Sequence, residues 1–121
     1  MAVTHSASAR NSLANAILDD IDVGTAGNLV FQTSGTAEVA TLALSLTSGV
    51  VSGAVLTFNA ISDDASATGG TVDRFVIQTS AAADVVLGNV LTSGGDINLS
   101  SLSVGIGDAV SMSSLTYTAA P

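Results

Sequence analysis

Residues 28–46 read Asn28-Leu29-Val30-Phe31-Gln32-Thr33-Ser34-Gly35-Thr36-Ala37-Glu38-Val39-Ala40-Thr41-Leu42-Ala43-Leu44-Ser45-Leu46. Leu29 and Phe31 share one parity of the first run. After Thr33-Ser34-Gly35, Leu42, Leu44 and Leu46 share one parity, and Thr41, Ala43 and Ser45 the other. Side chains of a strand alternate between two faces, so two such runs around a Gly-containing turn predict strands with one buried face.

The same period continues downstream. In 53–61 Leu56 and Phe58 fall together. In 71–79 Phe75 and Ile77 oppose Arg74, Val76 and Gln78. Residues 84–91 form a near-continuous apolar run broken by Gly88, and 96–99 a short alternating piece. In 108–118 Val110 and Met112 have one parity, Leu115 and Tyr117 the other. A bulge at Ser113-Ser114 would bring all four to one face. Turn signatures separate the runs: Ser48-Gly49, Ser62-Asp63-Asp64, Gly69-Gly70, Ser93-Gly94-Gly95 and Gly105-Ile106-Gly107. Seven or eight short strands over 28–118 predict a mainly β fold, a β-sandwich or jelly roll.

Upstream the period is helical. Leu13, Ala16, Ile17 and Ile21 have 3–4 spacing, which predicts one N-terminal helix over 8–22, with Ser8 as N-cap and Gly24 as stop. Residues 1–7 precede it as an arm. Asp19, Asp20 and Asp22 then lie at the helix C-terminus, where the macrodipole disfavours anions. Their best functional reading is pairing with cations of a partner. The 121 residues form one domain, with no internal repeat, linker or second domain expected.

Composition excludes several functions. The chain has 2 Lys+Arg, both arginines (Arg10 and Arg74), against 10 Asp+Glu, a net charge of -8. That gives no basic surface for phosphates, so direct nucleic-acid binding is not expected. There are no cysteines, which removes disulfides, thiol chemistry and zinc-thiolate sites. Mean hydropathy is +0.60, yet no apolar run approaches the ~18 residues of a membrane helix. Residues 1–6 lack a basic start followed by an apolar run, so no secretory signal is expected.

Charged residues are 10% of the chain, against roughly 25% in an average domain. Soluble β proteins guard their edge strands with charge. The predicted strands offer little beyond Asp73, Arg74 and Asp84. Edges covered by neighbouring subunits would resolve this. Self-repulsion at a net charge of -8 is the alternative.

Few residues suit chemistry. His5, the only histidine, precedes the helix with no nucleophile-elbow pattern near it, so no catalytic residue is assigned. Asp63-Asp64 could offer calcium hard oxygen ligands, but without a Asp-x-Asp-x-Asp-Gly loop the favoured reading is a turn with Asx hydrogen bonds. Asp96-Ile97-Asn98 reads as a hairpin end, and Asn98-Leu99-Ser100 as a chance glycosylation triplet. Gly105-Ile106-Gly107 lacks the third glycine of a dinucleotide loop. No metal or cofactor is therefore expected. Arg74, on the face opposite Phe75, is read as a cross-strand ion pair or an intersubunit contact. The candidate interface residues are Asp19, Asp20, Asp22 and Arg74.

Several segments together resemble a known group. They are an Ala-rich helix ending at Gly24, Leu29-Val30-Phe31, Ala40-Thr41-Leu42-Ala43-Leu44, and Asn59-Ala60-Ile61-Ser62-Asp63-Asp64 leading into a Ser/Ala/Thr/Gly loop. Arg74-Phe75-Val76-Ile77, Gly94-Gly95-Asp96-Ile97-Asn98-Leu99 and a closing strand from Gly107 to Tyr117 complete the pattern. The chain resembles a family of small β-sandwich virion proteins of tailed bacteriophages. The resemblance implies a non-enzymatic structural protein on the outer surface of the particle, a capsid decoration (cement) protein. Its partners would be the major capsid protein or other virion proteins, with homo-oligomers expected and no membrane. Neck, tail or fibre attachment is the alternative. A receptor- or sugar-binding sandwich ranks lower, because of the four aromatics (Phe31, Phe58, Phe75 and Tyr117) three are expected in the core.

Overall fold

The computed structural model describes residues 4–23, 25–94, 97–99, 101–112 and 115–118. Among these residues a helix, α1 (Ala7–Ile21), precedes ten short strands. They are β1 (Asn28–Gln32), β2 (Glu38–Ala43), β3 (Gly49–Ser52), β4 (Val55–Phe58), β5 (Gly70–Thr71), β6 (Arg74–Gln78), β7 (Asp84–Leu91), β8 (Ile97–Asn98), β9 (Ser103–Val104) and β10 (Thr116–Thr118). The fold is mainly β with one N-terminal helix. The predicted Gly24 stop, Asp96, the glycosylation triplet through Ser100 and the Ser113-Ser114 bulge lie outside the described residues.

The helix starts earlier than expected. Ser6, not Ser8, is the N-cap: its backbone is extended and its side chain accepts from Ala9 N–H at 3.1 Å. That satisfies one of the first-turn donors left without an intrahelical partner. Residue 7 therefore belongs to the helix rather than the arm. The buried stripe is also rotated. Ala14 and Ile21 are buried, Ile17 and Leu18 pack against the core, and Leu13 and Ala16 are exposed. A small residue is needed at the contact, because Ala14 packs on Ala54, Val51 and Tyr117. Asn11 Oδ1 accepts from Ala54 N–H there, at 3.1 Å.

Five strands form one sheet in the order β2-β1-β6-β7-β8, three form a second in the order β10-β4-β3, and β5 pairs with β9. The pairings are antiparallel except β7–β8, which is parallel. The two larger sheets share one sandwich-like core. Leu29, Phe31, Leu42, Phe75 and Ile77 come from the first sheet, Leu56 and Phe58 from the second, and Ile21 from α1. The parities read for Leu29/Phe31, Leu56/Phe58 and Phe75/Ile77 are those of the core.

Some strands differ from expectation. The chain leaves the β2 ladder after Ala43, so Leu46 is exposed rather than inward. Ser48-Gly49 is not simply a turn: Gly49 opens β3, where an added Cβ would lie 2.5 Å from the Thr57 carbonyl oxygen. The β3–β4 hairpin turns at Gly53-Ala54, both with positive φ (59° and 66°), the geometry that follows strand twist in two-residue loops. Instead of one strand over 108–118 there is a bridge at Val110, paired with Asp64, and the short β10.

A local repeat also emerges, contrary to expectation. Val30-Phe31-Gln32-Thr33-Ser34-Gly35-Thr36-Ala37-Glu38-Val39 aligns with Val76-Ile77-Gln78-Thr79-Ser80-Ala81-Ala82-Ala83-Asp84-Val85, and Leu46-Thr47-Ser48-Gly49 recurs as Leu91-Thr92-Ser93-Gly94. The β1–β2 and β6–β7 turns share three bonds, and the second adds one from Ala81 N–H to Thr79 Oγ1. Thr33 N–H donates to Ala37 C=O, Thr36 N–H to Thr33 C=O, and Ala37 N–H to Thr33 Oγ1. Thr79, Ala82 and Ala83 do the same in the second turn. Thr36 and Ala82 hold the equivalent left-handed position, at φ 68° and 63°.

Candidate interaction surface

Each candidate side chain takes its position from the strand or turn that carries it. Asp22 is the helix C-cap residue, and both its carboxylate oxygens accept from Ser48 N–H, at 3.1 and 3.3 Å. That bond lies within the chain and ties α1 to the start of β3. Asp19 and Asp20 are exposed on the last turn of α1. Just past it, Val23 C=O receives the hydroxyl of Ser80, beyond the C-terminal end of β6. Arg74 opens β6 at its other end, roughly 13 Å of strand away. The aspartates and Arg74 therefore do not form one patch.

Arg74 lies in a polar row across the first sheet. Gln32 is opposite it on β1 and Asn89 opposite it on β7, so the expected cross-strand ion pair meets amides instead of carboxylates, while Glu38 on β2 faces Gln32. Arg74 Nε and Gln32 Oε1 are both buried without a hydrogen-bond partner among the described residues. A buried unpaired donor costs about 1–3 kcal/mol, so Arg74 adds little to the fold by this atom. It occupies the face away from the core, beside Val30 and Val76.

The carboxylates near the loops are structural. Asp64 Oδ1 accepts from Ser66 N–H at 3.0 Å, the Asx turn, and Oδ2 accepts from Thr41 N–H at 2.9 Å. Its backbone exchanges two bonds with Val110. Glu38 accepts from the hydroxyls of Thr41 and Thr68. Asp108 closes the Gly105-Ile106-Gly107 turn by accepting from Gly105 N–H at 2.8 Å. No group of three or more metal-ligating side chains exists among the described residues. His5 is exposed ahead of α1.

These bonds cover one sheet edge. Along β2, Ser62 N–H donates to Ala43 C=O, Thr41 N–H to Asp64, and Gly69 N–H to Val39 C=O. The loop over 61–69 thus does for β2 what charged residues do on other edge strands. The far side of the sheet differs. There, among the described residues, β8 pairs with β7 at Val90 and Leu91. A largely apolar groove of about 290 Å³ is lined by Val86 and Leu87 of β7 together with Ile97, Leu115, Tyr117, Phe58, Phe75 and Ile77. Leu87 is 53% exposed.

Sequence reasoning missed this edge. Its signal was the apolar run 84–91, whose single charge, Asp84, stands at the start. Leu13, Val23, Leu46, Val50, Leu91 and Ile106 are exposed as well. No helix among the described residues is long and apolar enough to cross a membrane. In comparisons with protein-family models, curated proteins and solved structures, nothing matches this chain.

Proposed function

We propose that the chain is a non-enzymatic structural protein of a tailed-phage particle, an outer capsid decoration (cement) protein. The observation that carries this reading is a sandwich with low charge whose β7 edge, with Leu87 exposed on it, is left unguarded among the described residues. Such features are liabilities for a free monomer and assets for a subunit whose neighbours cover them. The patterns at 40–44, 59–64 and 107–117 that resemble small virion proteins support the same reading.

The mechanism is multivalent capping. Each copy adds a modest contact across shell joints, and many copies together resist separation of the shell. A net charge of -8 favours the outer surface over a lining that faces packaged DNA. The partners are the major capsid protein and other copies of the chain. Asp19, Asp20 and Arg74 are the charged groups offered for that contact.

Quantitative mass spectrometry of purified particles, scaled to the major shell protein, tests it. Copy numbers close to that of the shell protein are expected. A few copies per particle would replace decoration with a neck, tail or fibre role, and absence from particles would overturn the structural reading.

A further inference from the structure

The second half of the repeat carries an edge whose counterpart in the first half is covered. Val39, Thr41 and Ala43 receive the 61–69 loop. Continuing the repeat alignment, the equivalents of Val39 and Thr41 on β7 are Val85 and Leu87. Antiparallel alternation decides which way these groups point. Thr41 N–H leaves the sheet for Asp64, so Thr41 and Val30 form a pair without mutual hydrogen bonds. Val30 then bonds Val76, and Leu87, opposite Val76, turns its N–H and C=O outward. Among the described residues no hydrogen bond reaches those two Leu87 groups.

We propose that this open edge, residues 84–88 of β7, pairs antiparallel with the same edge of a second copy of the chain. Val86 lies on the two-fold axis, with Val85 opposite the copy's Leu87. Three observations select a second copy as occupant. Residues 85–91 hold no charge, so a cationic strand finds no carboxylate to pair with there, whereas an uncharged apolar strand fits, and β7 is one. In this register Asp84 falls opposite Gly88, so no carboxylate meets another. The contact also repeats an operation already present in the fold, because β1 and β6 join equivalent hairpins in the same antiparallel way. Val86 and Leu87 also line the groove, so a strand added at this edge lies against two of its lining residues. This is strand addition to a sheet edge. It is a property of the isolated chain and does not rest on the particle reading.

Sedimentation equilibrium of the purified full chain tests the pairing, with Leu87→Lys and Leu87→Pro beside it. Proline at 87 removes only an outward N–H, as edge strands tolerate. If it perturbs the fold by circular dichroism, Leu87→Lys carries the comparison. The wild type is expected to move from 11.8 kDa towards the dimer mass as concentration rises. Association should tighten from about 0.05 M to about 0.5 M salt, since two copies of net charge -8 repel and salt screens them. The folded variants are expected to stay monomeric. A wild type that remains monomeric at all concentrations and salts overturns the proposal. So does association that persists in folded variants, or that weakens with salt. A dimer lost in the variants while particle copy number stays low would retain this inference and remove the decoration reading.

Discussion

Val30 and Val76 stand opposite each other across the β1–β6 ladder and occupy the same position of the repeated hairpin. The pairs on either side, Asn28 with Gln78 and Gln32 with Arg74, exchange equivalent positions about them. The β2-β1-β6-β7 portion of the sheet therefore has an approximate two-fold axis between these valines. Both are buried on the face away from the shared core. A residue on such an axis packs against its own equivalent, and two β-branched side chains of equal size fit a pleated surface well.

Asp64 ties its loop to β2, and its neighbour does not. Asp64→Ala leaves Thr41 N–H and Ser66 N–H without acceptors and is expected to cost about 2–3 kcal/mol. Asp63→Ala should stay within about 0.5 kcal/mol. Urea unfolding midpoints of the two variants give the comparison, and equal effects would contradict the Asx-turn assignment.

Thr36 and Ala82 hold left-handed backbone on exposed turns. Side chains pay roughly 1–2 kcal/mol for that conformation, while glycine's extra freedom when unfolded returns part of it. Thr36→Gly and Ala82→Gly should each stabilise by up to about 1 kcal/mol. Thermal unfolding would show a rise for both, and a fall for either would mean its turn is held differently.

Phe58 and Phe75 enter the core from the two sheets, at 7% and 6% exposure. Truncation to alanine should destabilise by about 3–5 kcal/mol in each case. Unchanged denaturation midpoints would mean that the inward faces are inverted.

The helix cap separates two serines two residues apart. Ser6→Ala should cost about 1 kcal/mol and Ser8→Ala close to nothing. Hydrogen exchange of the Ala9 amide offers a direct readout, because its acceptor is the Ser6 hydroxyl.

Much of the sandwich was legible because a period of two reports burial directly. Leu29/Phe31, Leu56/Phe58 and Phe75/Ile77 face inward, and 84–91 is one strand. What escaped had non-local causes. Leu13 outweighs Ala14 in any hydrophobic pattern, yet the helix meets the Gly53-Ala54 turn through the smaller residue. Gly49 looks like a turn residue, but its lack of a Cβ admits the β4 backbone. At the candidate surface, the bond that occupies Asp22 comes from Ser48, and the cover of β2 comes from a loop some twenty residues downstream. Neither is written in local spacing. The repeat was legible in principle; its turns carry different residues at Gly35/Ala81 and Thr36/Ala82, which hid it.

The twin hairpins also bear on how the chain reaches this state. Each closes through a five-residue turn and can form early, on the microsecond scale of hairpins. Joining them is the slower, non-local step, because β1 must find β6 across more than forty residues of intervening chain. A hairpin from another molecule presents nearly the same docking strand. At high protein concentration during refolding, intermolecular docking competes with the intramolecular route and yields exchanged, misassembled species. Refolding yield should therefore fall with concentration faster than native-state solubility does.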